Sequence, residues 1–106
     1  MMNKDKYYIA EQKFRPLKRQ LQKLFKDMRF SLRDNTPPAA SMVVDFMQLA
    51  EIMVNYPGFG DENYPDFQEA CRRLGSLGTN TPLSVWQRHI EVIDNLRRRC
   101  HQILRS

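Results

Sequence analysis

Several absences narrow the classes this chain can belong to. It has two cysteines, Cys71 and Cys100, far apart and outside any repeated spacing, so no disulfide framework is indicated and both are expected as thiols. No stretch approaches the ~18–20 uninterrupted apolar residues of a membrane span. The opening Met1-Met2-Asn3-Lys4-Asp5-Lys6 leads into polar sequence without an apolar signal region. The expected setting is therefore the cytoplasm, away from the membrane. No segment alternates apolar and polar residues over enough positions to make a half-buried strand, and no repeat, low-complexity tract or coiled coil of three heptads is present. Gly58-Phe59-Gly60 is too short to cradle a phosphate, and nucleotide and dinucleotide motifs are missing.

What remains is an ordinary folded composition: 106 residues, 42% hydrophobic and 27% charged, which predicts one helical-bundle domain over 1–106 with a real core. The net charge of +5 is unevenly spread. Residues 1–35 carry ten Lys/Arg against four acids, residues 36–81 two against six, and residues 82–106 five against two. Basic ends thus flank an acidic middle. Either the terminal helices neutralise the central ones, or they present a basic surface to a polyanion or acidic partner.

Between residues 4 and 33 there is no glycine and one proline, Pro16. That predicts either one long kinked helix or a short helix followed by a longer one, with the main helix after Pro16. Leu17, Leu21, Leu24 and Met28 recur at helical spacing, widened by Phe25 and Leu32. Arg15, Lys18, Arg19, Lys23, Lys26, Arg29 and Arg33 fall on the other side, a stripe that reads as free of exposed aromatics. Thr36 as cap and Pro37 at the first position would open a second helix running to Val54 or Asn55. Its apolar residues form two stripes, Met42/Phe46/Leu49/Met53 and Val43/Met47/Ala50/Val54, so over half its circumference wants burial. Tyr56 to Asn63 is a loop, and the aromatic, acidic stretch from Tyr56 to Asp66 reads as a recognition surface or as packing over one end of the bundle. A third helix from Tyr64 ends at Gly75 as a C-terminal cap. The fourth opens at Pro82 and continues to about Leu104, with Trp86, Ile90, Ile93 and Cys100 on one face.

The expected fold is thus all-α, an antiparallel bundle of about four helices with a kink or break near Pro16. Its expected core is Leu21, Leu24, Met28, Met42, Phe46, Leu49, Met53, Phe67, Leu74, Trp86, Ile90 and Ile93.

Candidate chemistry is sparse. Cys100 followed by His101 matches the second half of a haem-attachment signature, with Arg97 where the first cysteine would stand. The structural alternative makes Cys100 a small core residue and His101 a boundary residue. Neighbours on a helix point ~100° apart, so an intact helix does not offer both to one metal ion, and no zinc spacing is present. No catalytic set is evident, and an enzyme is not expected. Arg97 falls within the apolar face, either as a stem covering apolar surface or as a sheltered cation paired with a carboxylate or held for an anion.

The run Arg97-Arg98-Arg99-Cys100-His101, on an Arg-rich helix ending a small helical protein, resembles the bacterial XXXCH domain family. That family is named for a Cys-His pair preceded by three other residues. The resemblance implies a small accessory protein, with Cys100 and His101 the residues carried over and a haem suggested by the pair alone.

The expected function is a non-enzymatic accessory module that binds another protein, with homodimerisation suggested by the apolar second helix and no cofactor required. Its partner-facing candidates are Val43, Met47, Val54, Phe59 and Arg97. Haem or metal binding through Cys100/His101 is one alternative. Nucleic-acid binding through Lys18, Arg19, Lys23, Lys26, Arg29 and Arg33 is the other.

Overall fold

The computed structural model describes the backbone of residues 2–99 and the side chains of residues 14–99. Four helices follow in order: α1 (Met2–Arg33), α2 (Ala40–Val54), α3 (Tyr64–Gly75) and α4 (Leu83–Arg99). Among the described residues there is no strand, and no helix is long and apolar enough to cross a membrane.

Residue pairings fix the helix directions. Phe14 meets Tyr56 and Phe59 while Phe25 meets Phe46, so α1 and α2 run antiparallel. Met47 lies against Gly75, and Glu51 faces Gln68 across a groove, which makes α2 and α3 antiparallel too. Asn63, at the head of α3, donates its side-chain amide to the Arg99 carbonyl at the foot of α4 at 3.2 Å. Arg29 and Phe25 face Asp94 and Arg97, respectively, closing the ring between α1 and α4. This last pair is the least tightly packed of the neighbouring helices.

Of the two readings for the first segment, the single long helix is the one found: α1 runs through Pro16, so the main helix does not start after it. Pro16 is exposed, where water can satisfy the carbonyl left without a donor one turn earlier. The buried line of α1 is Phe14, Lys18, Leu21, Phe25, Met28 and Leu32, spaced four and three apart. Leu24, expected at its centre, is only half-buried.

The end of α1 is set by Asn35, whose φ of 57° is left-handed. Asn35 N–H donates to the Leu32 carbonyl at 3.0 Å and Thr36 N–H to the Ser31 carbonyl at 2.9 Å, the paired bonds of a Schellman ending. Thr36 therefore belongs to the end of α1 and does not cap α2. Pro38 biases Pro37 toward extended backbone, and Ala39 is extended as well (φ −60°, ψ 141°), so α2 begins at Ala40. Gly75 ends α3 without a left-handed conformation. Its missing side chain matters elsewhere, since a Cβ there would overlap the Met47 sulfur. Pro82 sits just before α4 and its carbonyl accepts from Val85 and Trp86. The expected continuation of α4 to Leu104 falls outside the described residues.

The core is one cluster built from all four helices. On α2 the buried residues are Val43, Phe46, Ala50 and Met53, a line that runs between the two expected stripes. Met42 and Leu49 move to its margin, and Val43, expected to face a partner, lies in the core. Only Val44 and Ile52, about half exposed, keep large apolar side chains in water on this helix. The excess that suggested self-association is largely taken up by the chain itself.

Phe46 is 1% exposed and touches Phe25 in the centre of the bundle. Urea unfolding of Phe46→Ala is expected to show a loss of about 3–5 kcal/mol. Val44→Ala, on the wet side of the same helix, should stay within about 0.5 kcal/mol. Equal losses would mean α2 is turned differently from the arrangement described.

Candidate functional site

Among the described residues, grooves lie between α1 and α4, between α2 and α3 and between α3 and α4, and their charge separates them. The α2/α3 groove, about 350 Å³, is lined by one acid, Glu51, and one base, Arg72. The α3/α4 groove, about 410 Å³, has Asp66 and Glu69 opposite Arg73 and Arg88. The α1/α4 groove, about 340 Å³, is lined by Lys26, Arg29, Arg33 and Arg97 together with Gln22, Phe25 and Phe30, and no carboxylate forms part of its wall.

The residues of α1 reach this groove through their spacing. Phe25 and Arg29 are four apart and form one row. Lys26, Phe30 and Arg33 form the next, so that aromatic and cation alternate one turn apart. Lys26 Nζ lies 5.7 Å and the Arg33 guanidinium 5.4 Å from the Phe30 ring centre, while Arg29 and Arg97 lie 5.9 and 5.4 Å from Phe25. Each ring therefore carries two cations at cation–π distance.

Behind the groove, on α4, Asp94 is buried at 9% exposure. Arg97 donates to its Oδ1 from Nε at 3.1 Å and from Nη2 at 2.7 Å. Arg98 Nη2 sits 3.0 Å from Oδ2, and Arg29 Nη1, from α1, is 3.7 Å from Oδ1. One carboxylate thus gathers three guanidiniums and leaves two positive charges unmatched. Burial pushes the Asp94 carboxyl upward, but the Arg97 hydrogen bonds and the charges of Arg97, Arg98 and Arg29 outweigh it and hold it below its ordinary value. Arg97 is therefore the sheltered, paired cation of the two readings open for it. Its stem and guanidinium cover Phe25 while its remaining donors stay available.

The six candidates for polyanion contact divide. Lys26, Arg29 and Arg33 line the groove. Arg19 is exposed on another part of α1. Lys23 pairs with Asp27 at 2.9 Å. Lys18 does not belong to the surface stripe: it is 8% exposed, its ammonium lies 5.9 Å from the Phe14 ring, and burial together with Arg15 and Arg19 lowers its pKa. Its phase places it between Phe14 and Leu21, on the inward line.

The partner-facing candidates are mostly structural. Besides the buried Val43, Met47 and Val54 are half-buried against the core, Met47 occupying the space beside Gly75. Phe59 stacks on Phe14 at 4.3 Å with rings 7° from parallel, and Tyr56 stands edge-on to both. A turn with Gly58 at φ 83° and a Phe59 N–H bond to the Tyr56 carbonyl brings Phe59 back to this position. The loop packs over an end of the bundle. Arg97 alone of this set lines the cationic groove. Cys100 and His101 lie outside the described residues, and among the described ones no three His, Cys, Asp or Glu side chains converge as a metal site.

Phe30 was the feature hidden by reading the basic stripe as devoid of exposed aromatics. It is 47% exposed within that stripe, and its place four after Lys26 and three before Arg33 is visible in the sequence. No family model, curated protein or solved structure matches the chain.

The Asp94 cluster makes a pH-dependent claim. A carboxyl held low in the folded state stabilises fully above its unfolded pKa, near ~3.9, and that stabilisation is lost as pH falls through the folded value below it. Asp94→Asn is therefore expected to cost about 1–2 kcal/mol at pH 7, discounted for the exposure of Arg98 and Arg29. In urea titrations the gap between wild type and variant should close below about pH 4. A gap independent of pH would show that the charge of Asp94 is not what matters.

Proposed function

We propose that this chain is a non-enzymatic accessory module that works in the cytoplasm by binding a partner through the α1/α4 groove, and that it reads closely spaced negative charges on that partner. The observation carrying this reading is the groove's wall, four cations without a carboxylate, beside two other grooves whose charges cancel. Three of the four are arginines, which keep their charge at any physiological pH and present several donors in a fixed fork. Such groups hold an anion well and exchange protons poorly, which suits binding more than acid–base chemistry. Arg29 and Arg97 are additionally held in place by Asp94, so less side-chain freedom is lost when an anion docks.

The reading is tested with fluorescein-labelled inorganic polyphosphate and anisotropy titrations of the full chain. Affinity should fall with salt with a log–log slope of about −3, as four cations at ~0.7 each imply for a single-stranded polyanion. The double variant Lys26→Gln/Arg33→Gln should bind at least about tenfold more weakly. Arg72→Gln/Arg73→Gln removes the same charge from residues already paired with Glu69 and should change affinity less than about twofold. Absence of binding at low salt, or equal losses in the two double variants, would overturn the reading.

A further inference from the structure

We infer that the occupant of the α1/α4 groove is a single-stranded nucleic acid, with Phe30 as the platform on which one unpaired base stacks. The inference rests on the anion-binding reading above and names its ligand.

Charge alone does not choose among polyanions; Phe30 does. Phe30 is 47% exposed in the middle of a basic surface, and the groups its ring meets there are the cations Lys26 and Arg33. Lys26 and Arg33 stand about one helical turn to either side, each within 6 Å of the ring centre. A base laid on the ring would take the place of a cation there, and its two flanking phosphates would hold the displaced Lys26 and Arg33 at either side. On the groove's other wall Arg29 and Arg97 are held over Phe25 by Asp94, with donors still available to the next phosphate. Alternation of cations with a stacking ring is the pattern by which proteins hold single strands, because every base offers a π-face and every linkage a charge.

The competing anionic partners use less of the site. A duplex keeps its bases stacked inside and offers the ring no face. An acidic peptide would draw Lys26 and Arg33 off the Phe30 ring and offer that ring no face in their place. Neither accounts for an exposed aromatic held between two cations.

The test compares, by anisotropy at fixed salt, a labelled twelve-residue oligothymidylate, the equivalent oligouridylate, an abasic oligomer with the same number of phosphates, a twelve-pair duplex and a poly-glutamate peptide. The single strands should bind roughly tenfold more tightly than the abasic oligomer, about the contribution of one stacked base. Phe30→Ala should bring them down to the abasic level, and Phe30→Trp should retain affinity and show quenching of the added indole on binding. Since Phe30 is exposed, neither variant threatens the fold. Equal affinity for abasic and base-bearing strands, unaffected by Phe30→Ala, would overturn this inference and leave a phosphate-reading groove. Tighter binding of the duplex or of poly-glutamate would overturn it in favour of those partners. Failure of every polyanion to bind would overturn the reading beneath it as well.

Discussion

A carboxylate with almost no access to water needs cations around it, and Asp94 draws three of them from two helices. Much of the molecule's surface character follows from this. Arg97 lies in the apolar face of α4 because Asp94, three residues earlier, fixes its guanidinium, which sits 5.4 Å from the Phe25 ring centre. Arg29 reaches across from α1 to the same carboxylate, which links the two helices that pack least against one another. Because three cations answer to one anion, and Lys26 and Arg33 line the same seam as Arg29 and Arg97, that seam keeps a positive excess.

Packing explains why that excess stays concentrated. Where helices meet closely, as α2 does with both α1 and α3, apolar side chains fill the interface, and on α3 the exposed Glu69 is matched within its own helix by Arg72 and Arg73. Between α1 and α4 the contact is looser, and the space alongside the buried Phe25 is lined by Lys26, Arg29, Arg33 and Arg97 with Phe30 and Gln22. Basic ends and an acidic middle therefore do not simply neutralise one another. All six acids of the middle segment lie on α2, α3 and their connecting loop, whereas Lys26, Arg29 and Arg33 of α1 share a seam with Arg97 of α4 that, among the described residues, meets one acid, Asp94.

The helices were legible from the sequence because their interruptions are chemical: Asp34 to Pro38, the Pro57-Gly58 turn and the Ser76 to Pro82 linker all fall between helices. Nine of the twelve expected core residues are buried, the exceptions being Leu24, Met42 and Leu49. Those three lie on helices whose apolar residues cover more than one stripe, and there the neighbours choose the buried line. Lys18 departs from expectation for the opposite reason: it is a charged residue at an inward phase, between Phe14 and Leu21, where its type points outward. Within α4, the Asp94/Arg97 pairing is readable as a spacing of three. The approach of Arg29 is not, since it depends on the register between helices sixty residues apart in the chain, and without it the groove has no second wall.

The claim that this seam is the working surface is tested most directly by following the arginine Nε–H signals in ¹H–¹⁵N spectra while inorganic tripolyphosphate is added. Arg29, Arg33 and Arg97 should shift together, with the Phe30 ring protons moving alongside them, while Arg72 and Arg73 remain in place on Glu69. Shifts centred on Arg72, Arg73 or Arg88 instead would place anion binding in a different groove and contradict the account.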